Sequence, residues 1–394
     1  MSAFRTLDDV NVSGKKVVIR LDLNVPMENG HVTDTTRIDR VVPTLKELIT
    51  KGAAVIILAH FDRPKGKVVP EMSLKPVAPA LHKALGHKVE FIFTDWQTAP
   101  VVQAKPGEVY LMENTRYHAG EEKNDAGFAK MLGGLGDIFV NDAFSAAHRA
   151  HSSTEGIAHV IPAYAGRAMQ AELDALSKAL EQPKRPVIAI VGGAKVSSKL
   201  DLLSNLIKKV EGLVIGGAMA NTFLYAQGHQ VGKSLVEKDL ADTARKIMAE
   251  AEKANCAIIL PVDGIIAHKF EAHAPSHDYG VDALPADGMM LDIGPMSVDL
   301  VKTVIENAHT LLWNGPFGAF EMAPFDKATV EVAQYAAART KAGKLISVAG
   351  GGDTVSALNH AGVADDFTYI STAGGAFLEW LEGKDLPGVA ALKK

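Results

Sequence analysis

Short runs of β-branched and aliphatic residues recur along the chain, each closed by glycines or polar residues, with amphipathic stretches between them. In the first half, KVVIRLDL (16–23), AVIILAH (54–60), VEFIF (89–93), VYLME (109–113) and DIFVND (137–142) predict strands. Continuous apolar runs of this length suit strands buried on both faces, and so a parallel sheet covered by helices. Between the first two runs, TTRIDRVVPTLKELIT places Ile38, Val41, Val42, Leu45, Leu48 and Ile49 on one helical face, completing a βαβ unit. The second half repeats the pattern with PVIAIVGG (186–193), LVIGGAM (213–219), AIILPVD (257–263), MMLDIG (289–294), LLWNG (311–315), LISVAGGG (345–352) and YISTAGG (369–375). SSKLDLLSNLIKKV carries Leu200, Leu203, Ile207 and Val210 on one helical stripe. Between the halves, AELDALSKALEQPKRP reads as a helix stopped by Pro183 and Pro186, which puts the domain boundary near residues 168–186. No short-period repeat interrupts this organisation, so the expected class is α/β, in two separately wound domains.

Length agrees, since 394 residues at roughly 150 per domain allow two or three domains. The 47% hydrophobic residues include only 6% aromatics, and 35 glycines accompany them, the profile of an α/β enzyme with an aliphatic core. Lys and Arg number 41 against 46 Asp and Glu, a net charge of −5 that supplies no global field for a polyanion, so nucleic acid is not an expected partner. Cys256 is the single cysteine, which excludes an internal disulfide and a multi-cysteine zinc site and fits a reducing compartment. The opening MSAFRTLDDVNVSGKK lacks the apolar run of a signal peptide, and no stretch reaches the ~20 apolar residues of a membrane span. A cytoplasmic address and no membrane partner are expected.

Ligands of open parallel sheets collect at the carboxyl ends of the strands. There the two halves differ. The first offers Asp22 and Asn24, His60 and Arg63, Arg116, then His148, Arg149 and His151, while Arg37 opens the first helix. Four arginines on one edge suggest a small, multiply anionic ligand, because guanidinium forks pair carboxylate and phosphate bidentately. HRAH (148–151) invites a metal reading, but the pair lacks carboxylate partners in a familiar pattern. The second half offers glycine clusters at GGAK (192–195), GGAMAN (216–221), NGPFG (314–318), GGGDT (350–354) and AGG (373–375). Strand–glycine–helix junctions admit phosphates to backbone N–H groups, and Lys195, Lys199 and Asp353 beside them suggest a nucleotide phosphate tail with magnesium. The plainer reading, glycines that only permit tight turns, covers part of this set. GHQVGKS (228–234) falls one residue short of a P-loop, and no G-x-G-x-x-G with a later acidic residue occurs.

RLDLNVP (20–26), HFDRP (60–64), NTRYH (114–118), AFSAAHRAHSS (143–153), GGAKVSSKL (192–200), WNGPFGAFE (313–321) and GGGDT (350–354) together resemble the phosphoglycerate kinase family, in order and over nearly the whole chain. The resemblance implies two Rossmann-like domains, each a mostly parallel sheet covered by helices: residues 1–168 binding 3-phosphoglycerate, a hinge helix over 169–185, a nucleotide domain over 186–377, and a tail 378–394 returning to the first domain. It implies reversible, magnesium-dependent phosphoryl transfer between ATP and 3-phosphoglycerate, giving 1,3-bisphosphoglycerate and ADP, by a monomer that closes about its hinge. Asp22, Asn24, Arg37, His60, Arg63, Arg116 and Arg149 would bind 3-phosphoglycerate. Lys199, Gly216, Gly217, Asn314, Glu321, Gly350, Gly351, Gly352, Asp353 and Thr354 would hold the nucleotide, with Glu321 on the ribose and Asp353 on Mg2+. Arg37, Lys195 and Lys199 would serve the transfer itself. Four departures from the family pattern stand out: Phe61-Asp62 where Leu-Gly is common, Ser145-Ala146 for a frequent Gly-Thr, Ser198 for a frequent acidic residue, and Ala373 for the first of three glycines. The rivals are a two-domain sugar-phosphate binding protein without catalysis, which would not need Lys195, Lys199 and Asp353, and a nicotinamide-dependent dehydrogenase, which the missing fingerprint opposes.

Overall fold

Six strands, β1 (Lys16–Arg20), β2 (Ala54–Leu58), β3 (Glu90–Ile92), β4 (Val109–Met112), β5 (Ile138–Asn141) and β6 (Ala163–Ala165), pair in parallel in the order β3-β4-β2-β1-β5-β6. They belong to the first of two units in the computed structural model, which describes residues 3–394: the chain up to Leu173 with Asp385–Lys394 forms one unit and Asp174–Lys384 the other. Every residue of β2 is buried, and Val17, Ile19, Val55, Ile57 and Val140 share one core with Ile38, Val41, Leu45 and Leu48 of the helix Thr36–Thr50. The amphipathic stripe and the two-sided strands therefore account for the same layer. The chain enters mid-sheet at β1, winds outward through β2, and returns to lay β5 on the opposite side of β1. Crossovers diverge at the β1/β5 pair, and the carboxyl ends of those strands frame a crevice.

The second unit repeats the topology with β7 (Val187–Val191), β8 (Gly212–Ile215) and β9 (Ala257–Ile259) on one side and, further along the chain, strands at Thr310–Asn314, Ile346–Gly350 and Tyr369–Ser371 on the other. Between these lies a three-stranded antiparallel sheet, β11-β10-β12, of β10 (Asp263–Ala267), β11 (Ser276–Gly280) and β12 (Met289–Ile293). The later strands are β13, β14 and β15, so the parallel order is β9-β8-β7-β13-β14-β15, with crossovers diverging at β7/β13.

Local structure departs from the sequence reading in a few places. The run 257–263 is not one strand: Pro261 has no N–H for a ladder, and the chain leaves the parallel sheet there. Residues 289–294 therefore join the antiparallel sheet, pairing with β10. The partner strand β11, SHDYG, is polar, with His277 and Asp278 exposed, so it carried no apolar signal. The connecting helix begins at Arg167, earlier than 171, because the buried Asp142 carboxylate at the end of β5 accepts the Met169 N–H at 3.0 Å. A cap supplied from 27 residues away is invisible to local capping rules. The helix read over 197–210 starts at Leu200 and ends at Leu206, but Leu203, Ile207 and Val210 are buried as the stripe requires. No helix among the described residues is long and apolar enough to cross a membrane.

Candidate functional site

At the β1/β5 crevice, Asp22 follows β1 and its Oδ1 accepts from the Asn24 N–H at 3.1 Å and from Arg37 Nη1 at 3.2 Å. Arg37 Nη1 also donates to the Asn24 carbonyl at 2.7 Å, leaving its other nitrogens without hydrogen-bond partners among the described residues. The Asn24 side-chain oxygen accepts the Asp62 N–H at 3.1 Å, and Arg116 Nη1 donates to the Asp62 carbonyl at 2.9 Å. Both backbone groups of Asp62 are thus held by site residues. Its φ of 52° lies in the left-handed region, where glycine is usual and aspartate is tolerated, which accounts for the departure from Leu-Gly.

Arg20 ends β1 fully buried; its Nε donates to Ser153 Oγ at 2.8 Å and its Nη2 to His60 Nδ1 at 2.8 Å. A guanidinium has no acceptor, so His60 Nδ1 must be the unprotonated nitrogen and the ring proton sits on Nε2. Burial drives the His60 pKa well below its ordinary value, and the charges of Arg20, Arg116, His151 and Arg37 push the same way. Burial also lowers Arg20, to about 10, with Glu121 opposing. Arg116 is lowered chiefly by burial, with Arg63 and Arg149 adding repulsion against the pull of Glu122 and Glu121. That repulsion puts Arg116 within electrostatic reach of both Arg63 and Arg149. Arg63 and Arg149 are exposed. A cluster of cations that repel one another is stabilised by a multivalent anion.

At the β7/β13 crevice of the second unit, the buried Asn314 accepts from Lys199 Nζ at 2.8 Å on Oδ1 and donates from Nδ2 to the Gly350 carbonyl at 2.8 Å. Burial lowers the Lys199 pKa, while Asp353 and Glu382 act against it. Lys195 is exposed at the head of the turn Val196–Ser198, and its charge helps lower the Glu237 pKa. Glu237 also receives the N–H of Ser197 at 3.1 Å. Ser198 Oγ donates to the Lys195 carbonyl at 2.8 Å, so this hydroxyl braces the turn where an acidic residue is frequent. Gly351, with φ 98°, could not carry a side chain: a Cβ would lie 2.6 Å from Asn314 Nδ2. It leads into the helix Gly352–His360, whose first turn carries Asp353. Thr354 Oγ1 accepts the Gly315 N–H at 2.7 Å, spending that hydroxyl on the crevice wall.

Beside these groups lies a cavity of about 390 Å³, lined among others by Gly193, Gly217, Met290, Phe317, Glu321 and Asp353. Gly217 (φ 67°) lets the chain pass Gly193, whose carbonyl oxygen a Cβ would meet at 2.5 Å. Of the predicted nucleotide residues, Gly217, Glu321 and Asp353 line this cavity, while Lys199 and Asn314 pair beside the β7/β13 crevice. Gly216 and Gly350 are buried, and an added Cβ would strike Phe317 at 2.8 Å or Phe377 at 2.4 Å, so aromatic packing already demands them. The apolar wall formed by Leu235, Phe270, Met289 and Met322 went unread, because each sits outside any motif. Asp292 also went unread; burial raises its pKa to about 8 while it accepts the N–H groups of Ile293 at 2.9 Å and Ala328 at 3.0 Å. No cluster of three or more metal-ligating side chains occurs among the described residues. Near AGG (373–375) the left-handed backbone falls on Gly374 (φ 54°).

A family model described as phosphoglycerate kinase matches residues 7–384. Curated relatives named phosphoglycerate kinase include those of Methylobacterium radiotolerans, 66% identical over 100% of this chain and 99% of its own length, and Brucella melitensis biotype 1, 66% identical over 99% and 100%. Among solved structures, the phosphoglycerate kinase from Coxiella burnetii superposes with a TM-score of 0.94 at 44% identity, covering 99% of this chain and 98% of that one. The phosphoglycerate kinase from Pyrococcus horikoshii OT3 gives 0.78 at 29% identity, with 98% of each chain covered. Neither the non-catalytic binding protein nor the dehydrogenase finds support among these relatives.

Proposed function

Because the chain belongs to the phosphoglycerate kinase family, we propose from its own residues how it moves a phosphoryl group between ATP and the carboxylate of 3-phosphoglycerate. The observation that carries the reading is the division of chemistry between two equivalent crevices: mutually repelling arginines around β1/β5, and a lysine, the Asp353 carboxylate and a largely apolar cavity at β7/β13. Arg63, Arg116 and Arg149 compensate the phosphate of the acceptor, His60 donates from Nε2, and Asp22 and Asn24 accept or donate at its polar end. Glu321 meets the ribose, and the cavity wall of Phe317, Met290 and their neighbours takes the base.

Phosphoryl transfer asks for in-line positioning and neutralisation of charge on the equatorial oxygens. The acceptor carboxylate is already ionised at neutral pH, so no general base is required. Arg37 approaches from the acceptor side, Lys199 is held by Asn314 on the donor side, and Lys195 on its exposed turn reaches the moving group. Transfer needs reacting atoms within about 3–3.5 Å, so the two units close on each other with both ligands bound. Asp353, in the first turn of the helix Gly352–His360 and on the cavity wall, would hold a magnesium ion arriving on the nucleotide. When bound, the ion neutralises phosphate charge. A monomer in the cytoplasm is the corresponding setting. The test is a coupled assay with 3-phosphoglycerate, ATP and magnesium. ADP formation that depends on 3-phosphoglycerate is expected, and ADP release indifferent to it would overturn the reading.

A further inference from the structure

We propose that Ser145 is a positioning residue for the acceptor, its hydroxyl locking the Asp22 carboxylate in the orientation that presents Arg37 to the anion. The proposal rests on the 3-phosphoglycerate reading above. Asp22 stands at the carboxyl end of β1 and Ser145 in the turn that follows β5, so the two side chains meet across the pair of strands that frames the crevice. Ser145 Oγ lies 2.5 Å from Asp22 Oδ2, while Oδ1 takes the Asn24 N–H and Arg37 Nη1. Both oxygens are therefore committed, one to each side of the crevice.

The need for such a lock is electrostatic. A carboxylate beside Arg37 competes with the anion for the same donor, and rotation about its side-chain bonds would carry Oδ1 off Arg37 and the Asn24 N–H. A donor fixed on Oδ2 keeps Oδ1 on Arg37 and the Asn24 N–H. Ser145 has a single proton to give; with that proton on Asp22 it offers only lone pairs, which an anionic ligand repels. It therefore acts through Asp22 and does not grip the substrate. The glycine that the resemblance leads one to expect at this position has no hydroxyl for the task, whereas Ser145 supplies one.

The test is a double-mutant cycle with Ser145→Ala, Asp22→Ala and the double variant, plus Ser145→Thr, each assayed for kcat and for the Michaelis constants of the acceptor and of ATP. Loss of one hydrogen bond to a charged group predicts a rise of about 5- to 20-fold in the acceptor's Michaelis constant with Ser145→Ala, with the ATP constant within about twofold. Ser145→Thr keeps the hydroxyl and should recover to within about threefold of the parent. In the Asp22→Ala background the serine change should cost nothing further, because its target is gone. Additive effects in the cycle, an acceptor Michaelis constant unchanged by Ser145→Ala, or an equal loss in the ATP parameters would each overturn the proposal. A parent enzyme inactive toward 3-phosphoglycerate would instead overturn the functional reading beneath it.

Discussion

His60 is predicted to bind the acceptor as a neutral donor at every pH where the protein functions. Its Nδ1 faces Arg20 Nη2 at 2.8 Å, so a second ring proton would set donor against donor. Two unit charges at that separation repel by on the order of 5 kcal/mol even at an effective dielectric of about 20, and burial adds to the penalty. The histidine thus contributes a hydrogen bond and not a charge. Replacing it by alanine should cost ~1.5–3 kcal/mol of 3-phosphoglycerate binding, a factor of about 10 to 150 in Kd. The assay is calorimetric titration of the parent and His60→Ala from pH 5.8 to 8. The phosphate of the ligand itself titrates near pH 6, so the informative quantity is the ratio of the two dissociation constants. That ratio should stay flat, and in the parent ¹⁵N spectra should show Nδ1 unprotonated and Nε2 protonated throughout. A ratio that climbs as the pH falls through about 6.5, the ordinary histidine value, would mean that the imidazolium binds the anion, and the reasoning would fail.

Lys195→Ala should leave 3-phosphoglycerate affinity near the parent value while lowering kcat by up to roughly 10³-fold, as loss of a cation from a phosphoryl-transfer transition state does; turnover within about threefold of the parent in the coupled assay would remove Lys195 from the transfer. Asp353→Asn should raise the apparent Kd for Mg-ATP far more than that for 3-phosphoglycerate, because asparagine keeps the shape and any capping role but loses the charge; a magnesium titration superimposable on the parent's would leave Asp353 as a helix cap only. Asp292, raised to about 8 by burial, holds a proton in the folded state that the unfolded chain lacks, so its contribution is full below the ordinary carboxylate pKa and is lost as the pH rises toward 8. Urea titrations of the parent from pH 6.5 to 8 should lose stability at up to roughly 1.4 kcal/mol per pH unit from this group, and Asp292→Asn should be flatter; equal slopes would contradict the assignment.

The parallel sheets were readable because their strands are apolar on both faces and too short for helices, as β2 and β7 are. The antiparallel insertion was not, since β11 has no apolar run and Pro261 hides inside one that looks continuous. The ends of strands gave most of the charged site residues, because an arginine or aspartate directly after an apolar run has a strand end to account for it. Contacts made by residues distant in sequence stayed hidden. Asp142 capping the helix that begins at Arg167, Arg20 fixing the His60 tautomer, Asn314 holding Lys199 and Ser145 holding Asp22 each depend on which strands become neighbours, and no local pattern encodes that order. The glycines divided similarly: Gly217 and Gly351 need positive φ beside the β7/β13 crevice, whereas Gly350 makes room for Phe377.

Each crevice is assigned one substrate, and backbone amide shift mapping of the full chain with single ligands checks that assignment. Titration with 3-phosphoglycerate alone should move signals at residues 22–24, 60–63, 116 and 145–151, and titration with Mg-ADP alone should move those at 193–199, 217, 314–321 and 350–354. Shifts for 3-phosphoglycerate centred on β7/β13, or for both ligands centred on a single crevice, would contradict this division of substrates.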